Sequence, residues 1–173
     1  MRAWIDCSPA SDGASGVRTV VAVDDTDDET RATSTGEIAN LIADAARELG
    51  GTLRLDITRH QLLLRDDVPY TSHNSAMAFE ALMPEGSVGR LRARAVGIIA
   101  EKRAATSDPG LCVACVPDRI DAEAARLFER LVEFGARAKR EFCSIPSAYG
   151  LARAIPWVAL SEHGGTGAGV VGA

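Results

Sequence analysis

Asp24, Asp25, Thr26, Asp27, Asp28 and Glu29 place five carboxylates in six residues. Crowded carboxylates repel one another unless a cation lies among them. A hard ion such as Mg²⁺ accepts one or two of them and keeps positions for phosphate oxygens. Carboxylates of Asp24 to Asp27 are read as candidate metal ligands, Asp25 also as a catalytic group, with the Thr26 hydroxyl beside them. A charge run also reads as a solvated loop. Two neighbours favour a site. Val20 to Val23 feeds the run from an apolar strand, and Thr33-Ser34-Thr35-Gly36 opens a helix, where free amides favour phosphate. Plain helix capping is the other reading of Ser34 and Thr35.

Three further polar groups could share the chemistry. Thr58-Arg59-His60-Gln61 puts a cation and an imidazole side by side on a strand. Tyr70 to Ser75, which includes His73 and Asn74, is six consecutive residues with side-chain donors or acceptors. Ser161 to Gly172 carries His163, Gly164, Gly165, Thr166 and Gly167 and could bring backbone amides close to an anion. It lacks the Lys-Ser/Thr pair of a P-loop, and it also reads as a flexible terminus. All three histidines of the chain lie in these groups. That coincidence predicts a shared site in which Arg59, His60, His73 and His163 neutralise charge or move protons. Cys112 and Cys115 have CxxC spacing without a second pair. On a strand they point to opposite faces and read as core thiols.

The elements that must position these groups are legible as alternating patterns. Arg18 to Asp24 reads as a strand, Gly36 to Leu49 as a helix stopped by Gly50-Gly51, and 52–64 and 75–83 as strands. A helix capped by Ser87 runs to Ala105, and Leu111 to Val116 is a short strand. A long helix covers Asp121 to Phe142. A short helix at Ser147 to Ala154, a strand at Trp157 to Ser161 and the glycine-rich end follow. The order β-α-β-β-α-β predicts an α+β fold with a ferredoxin-like core over 18–116 and a C-terminal extension over 117–173. The loop between the second and third strands is too short for a crossover helix, which disfavours a parallel sheet. Residues 1–17 read as a loose tail.

The formal charge of −5 over 173 residues argues against a broad basic face for nucleic acid. No apolar run approaches a membrane span and no signal peptide is evident. Four scattered cysteines predict a reducing cytoplasm rather than a disulfide framework.

Val21-Ala22-Val23-Asp24-Asp25-Thr26-Asp27, the Thr/Ser-rich turn after it, and Val68 to Ala76 together resemble the catalytic region of the archaeal agmatinyl-cytidine synthetase that modifies isoleucine tRNA. The resemblance is closer to the short, stand-alone relatives of that enzyme and runs from Val20 onward. It implies ATP and Mg²⁺ as cofactors, Asp24, Asp25 and Asp27 as the metal-binding motif, and Ser34 or Thr35 as the family's phosphorylated threonine. Asn74 matches an asparagine of its second motif. The chain departs from the family at Thr71-Ser72-His73-Asn74-Ser75, where the synthetase has Lys-Thr-Arg-Gly-Asn-Gly. It also has no four-cysteine zinc ribbon. The nucleotide half of the resemblance is thus fuller than the tRNA half.

The expectation is a cytoplasmic enzyme that binds ATP-Mg²⁺ and transfers or hydrolyses phosphate on an unidentified acceptor, with a homo-oligomer left open. Two other classes stay in view. One is a Zn²⁺- or Mn²⁺-dependent hydrolase that uses the three histidines. The other is a nucleotide- or metabolite-binding module without catalysis.

Overall fold

The computed structural model describes residues 16–28, 33–65 and 74–173. Strand β1 (Val17–Asp24) leads through the acidic run to helix α1 (Thr35–Glu48), then β2 (Thr52–Gln61) and β3 (Ser75–Met83). Helix α2 (Val88–Lys102) and β4 (Gly110–Cys115) complete a βαββαβ unit. Helices α3 (Ala122–Ala138) and α4 (Ile145–Ala154), strand β5 (Val158–Glu162) and a 3₁₀ turn (Ala168–Val170) follow. The sheet order is β2-β3-β1-β4-β5 and every pairing is antiparallel. The first four strands have the ferredoxin-like arrangement, with β5 added outside β4. The expected α+β class is borne out.

Strand alternation decides what each face does. Val21 pairs with Phe79 and Val113, and these side chains meet Ile38 and Ile42 of α1 and Leu91 and Ile99 of α2 in one buried core. The opposite face carries Ala22, Ala78, Cys112 and Leu160, and Thr58 pairs with Ala78 at its β2 side. At the far end of β5, Trp157 meets Phe128 of α3, with ring centroids 4.8 Å apart. Cys112 and Cys115 do fall on opposite faces, and neither is in a disulfide. Burial pushes the Cys112 thiol up to about 12, which keeps it protonated and unreactive.

Helix α1 ends where Gly50-Gly51 required. Gly50 sits at φ +85, and the amides of Gly50 and Gly51 bond Arg47 and Ala46 carbonyls at 2.9 Å each. The helix expected to reach Phe142 instead stops at Ala138. Its cause lies downstream: Ser144 caps a new helix through the Ser147 amide, and Pro146 occupies its first turn. The break bends Lys139 to Ser144 toward the end of β2, where the Leu63 amide bonds the Ala138 carbonyl at 3.3 Å.

Gly110 at the start of β4 touches the backbone of Gly169, so a Cβ there would run into the Gly169 carbonyl. Gly110→Ala is expected to cost about 3 kcal/mol or more and to unseat the C-terminal segment. Urea denaturation measures the loss, and protease sensitivity confined to the C-terminal segment identifies its source.

Candidate active site

The acidic run lies where β1 leaves the sheet. Asp24 is its last residue and is only 6% exposed, because Gly172 packs on its carboxylate and Gly169 on its backbone. Burial, reinforced by the charges of Asp25 and Asp27, pushes Asp24 up to about 7. Asp25 is pushed up to about 6, first by burial and then by the charge of Asp108. It has φ 55, a left-handed conformation that costs a non-glycine residue about 1 kcal/mol. Asp27 turns inward: its carboxylate accepts the Thr35 amide and the Thr35 hydroxyl, each at 3.2 Å. The buried Thr26 hydroxyl donates to the Thr35 hydroxyl at 3.0 Å.

These groups open onto a cavity of about 380 Å³, within the usual size of small-molecule sites. Asp24, Asp25, Asp27 and Thr35 form one wall; Asn74 and Ser75 at the start of β3 border it. An apolar wall comes from the end of β2 and the α3–α4 junction, including Leu62, Phe142, Ile145 and Pro146. Ala168, Gly169, Val171 and Gly172 close it on the C-terminal side. Among the described residues that line it there is no lysine, arginine or histidine. Its other carboxylate, Glu141, is paired with Arg137 at 2.7 Å.

The structure separates Ser34 from Thr35. Ser34 accepts the Glu37 amide at 3.2 Å, and the Glu37 carboxylate accepts the Ser34 amide at 2.8 Å and hydroxyl at 3.0 Å. This capping box occupies the Ser34 side chain outside the cavity. The Ser34-x-x-Glu37 spacing already carried that signal. Gly36 sits in the first turn without lining the cavity. Arg59 does not line it either, but its Nε donates to the Ser75 hydroxyl at 3.1 Å, which holds a lining residue in place. The Asn74 amide nitrogen donates to the Leu63 carbonyl at 2.7 Å and ties the ends of β2 and β3 together.

The histidines do not converge. His60 lies on β2 and shares a bond with the Thr58 hydroxyl at 2.8 Å, on the face away from the core. His163 follows β5 and bonds the Ser161 hydroxyl at 2.9 Å; Ser161 pairs with core-facing Leu111. His60 is on one outer strand and His163 just past the end of the other, strands that lie roughly 19 Å apart at four strand spacings, and the two residues sit on opposite faces of the sheet. Neither lines the cavity. Burial lowers both; Lys139 adds to this for His60, as do Arg92 and Arg103 for His163. His73 lies outside the described residues. A metal centre built on all three histidines is therefore ruled out by strand order, and among the described residues no group of three or more His, Cys, Asp or Glu side chains, the Asp24, Asp25 and Asp27 trio included, is placed to hold a metal ion.

The glycine loop also differs from expectation. Its donors turn to Asp108, a residue that no pattern in the sequence singled out. The Asp108 carboxylate accepts the Thr166 amide at 2.6 Å and the Thr166 hydroxyl. Burial works to raise Asp108, but the bonds from Thr166 and from the Gly165 and Gly167 amides hold it below the ordinary carboxylate value. Gly164 packs on the Asp108 backbone. Gly164, Gly165, Thr166 and Gly167 thus fasten the C-terminal segment instead of lining the cavity, and it is Ala168 to Gly172 that reach Asp24.

No protein-family model and no curated protein matches the sequence. Among solved structures, the chain is similar to TiaS in its complex with an isoleucine tRNA, AMPCPP and agmatine, with a TM-score of 0.69 and 22% sequence identity. The match covers 90% of this chain and 35% of the TiaS chain. Among the described residues, no helix is long and apolar enough to cross a membrane. What the two proteins share at this identity is the fold.

Proposed function

We propose that the cavity binds ATP as its Mg²⁺ complex and that the chain is a phosphoryl-transfer enzyme. The carrying observation is a set of carboxylates, one nearly fully buried, facing a nucleotide-sized cavity with no cationic side chain on its described lining. Such a site accepts a polyphosphate only together with a cation. The donors suit Mg²⁺, which takes carboxylate and phosphate oxygens. Asp24 and Asp25 would hold it, and when bound it would offset phosphate charge. The TiaS structure, solved with the ATP analogue AMPCPP, adds support from a protein of the same fold.

Within this reading Thr35 is the nucleophile. Its hydroxyl donates to Asp27 and is held by the Thr26 hydroxyl. As Thr35 Oγ1 bonds to the γ-phosphorus, the bond to the β,γ-bridging oxygen breaks, ADP leaves, and Asp27 takes the proton. The final acceptor is left unassigned. TiaS was solved with an isoleucine tRNA; the net charge of −5 here gives RNA little general attraction.

The test is incubation of the protein with γ-labelled ATP, with Mg²⁺ and with EDTA. Binding and labelling that require Mg²⁺ are expected. Metal-dependent binding with neither label nor ADP release would leave a nucleotide-binding module, and binding unaffected by EDTA would remove the metal from the account.

A further inference from the structure

We infer that the α3–α4 junction is the nucleobase subsite of this cavity, with Phe142 the plane on which the base stacks, and that the subsite accepts different bases alike; this rests on the nucleotide reading above. Phe142 lines the cavity yet is 64% exposed. An aromatic side chain left in water beside a cleft offers a large apolar surface to a ligand. The residues around it are fixed. Cys143 is buried, Ser144 is committed to capping α4, and the Ala138 carbonyl is bonded by Leu63. The exposed ring therefore projects from an anchored turn.

The chemistry of this wall complements that of the carboxylate wall. Phe142, Ile145 and Pro146 present carbon, while Asp24, Asp25 and Asp27 present oxygen. A ligand that matches both has a flat apolar part and a chelating anionic part, as a nucleoside triphosphate does. Of the junction's side chains that line the cavity, the two with polar oxygens are already engaged: Glu141 with Arg137, and Ser144 with the Ser147 amide. Neither is left free to read the hydrogen-bonding edges of a base. Recognition by stacking alone is base-tolerant, because every base has a π-face.

The test is calorimetric titration of Mg²⁺-ATP, Mg²⁺-GTP and Mg²⁺-tripolyphosphate into wild type, Phe142→Ala and Phe142→Trp. Wild type is expected to bind ATP and GTP within a few-fold of each other, and both roughly tenfold or more tighter than tripolyphosphate. Phe142→Ala should lose that increment and bind tripolyphosphate as wild type does, while Phe142→Trp should keep it. Equal weakening of all three ligands by Phe142→Ala, no weakening of any, or a large preference of wild type for one base would overturn the inference. Failure of wild type to bind any of the three would instead overturn the nucleotide reading beneath it. The exposure of Phe142 leaves folding of the variants undisturbed.

Discussion

Asp24→Asn is expected to stabilise the metal-free protein at pH 8 and at the same time to abolish Mg²⁺-dependent nucleotide binding. Asp24 is raised from 3.8 to about 7 by burial and by its acidic neighbours. Its folded form holds a proton that the unfolded form has released, so stability falls as pH rises from about 4 to about 7 and is level above that. An asparagine escapes this cost and can still accept the neighbouring amide. The gain should be about 2–4 kcal/mol at pH 8 and should vanish near pH 4. Denaturation in urea with EDTA at both values reads it. Mg²⁺ should then stabilise wild type at pH 8 and leave the variant unmoved. A variant less stable than wild type at both pH values, or one that Mg²⁺ stabilises equally, would contradict the role given to Asp24.

Thr35→Ala should remove the covalent phosphate entirely, while Ser34→Ala should keep it. The neighbouring hydroxyls differ in what they already do. Ser34 is spent in its capping box with Glu37, so its loss should cost about 1 kcal/mol of stability and little chemistry. Thr35 is buried, faces the cavity and donates to Asp27. Phosphopeptide mass spectrometry after incubation with Mg²⁺-ATP distinguishes the two. Thr35→Ser, which retains the hydroxyl, should restore label. Phosphate on Ser34, or label surviving in Thr35→Ala, would transfer the role elsewhere.

The acidic motif was legible because it is contiguous and follows an apolar strand, so one short window held both the chemistry and its support. The βαββαβ order was legible for the same reason: each element announces itself by its own periodicity, and Gly50-Gly51 stops α1 by local chemistry. Strand order has no such local signature. His60 and His163 shared a polar setting in sequence, and only the β2-β3-β1-β4-β5 order reveals that they occupy opposite edges. Asp108 was invisible because a lone acidic residue in a loop says nothing of the amides it will meet 58 residues later. The apolar wall was missed through the α3–α4 break. Helical spacing continues through Phe142, and the signal that overrides it, Ser144 with Pro146, lies beyond the apparent end of the helix.

The central claim is that Asp24 and Asp25 hold the cation of a bound nucleotide. A crystal structure of the protein grown with Mn²⁺ and a non-hydrolysable ATP analogue tests it directly through the anomalous signal of the metal. The account predicts one Mn²⁺ peak within coordination distance of the Asp24 and Asp25 carboxylates, bridging to phosphate oxygens beside Thr35. A nucleotide seated elsewhere, or a peak remote from these carboxylates, would contradict it.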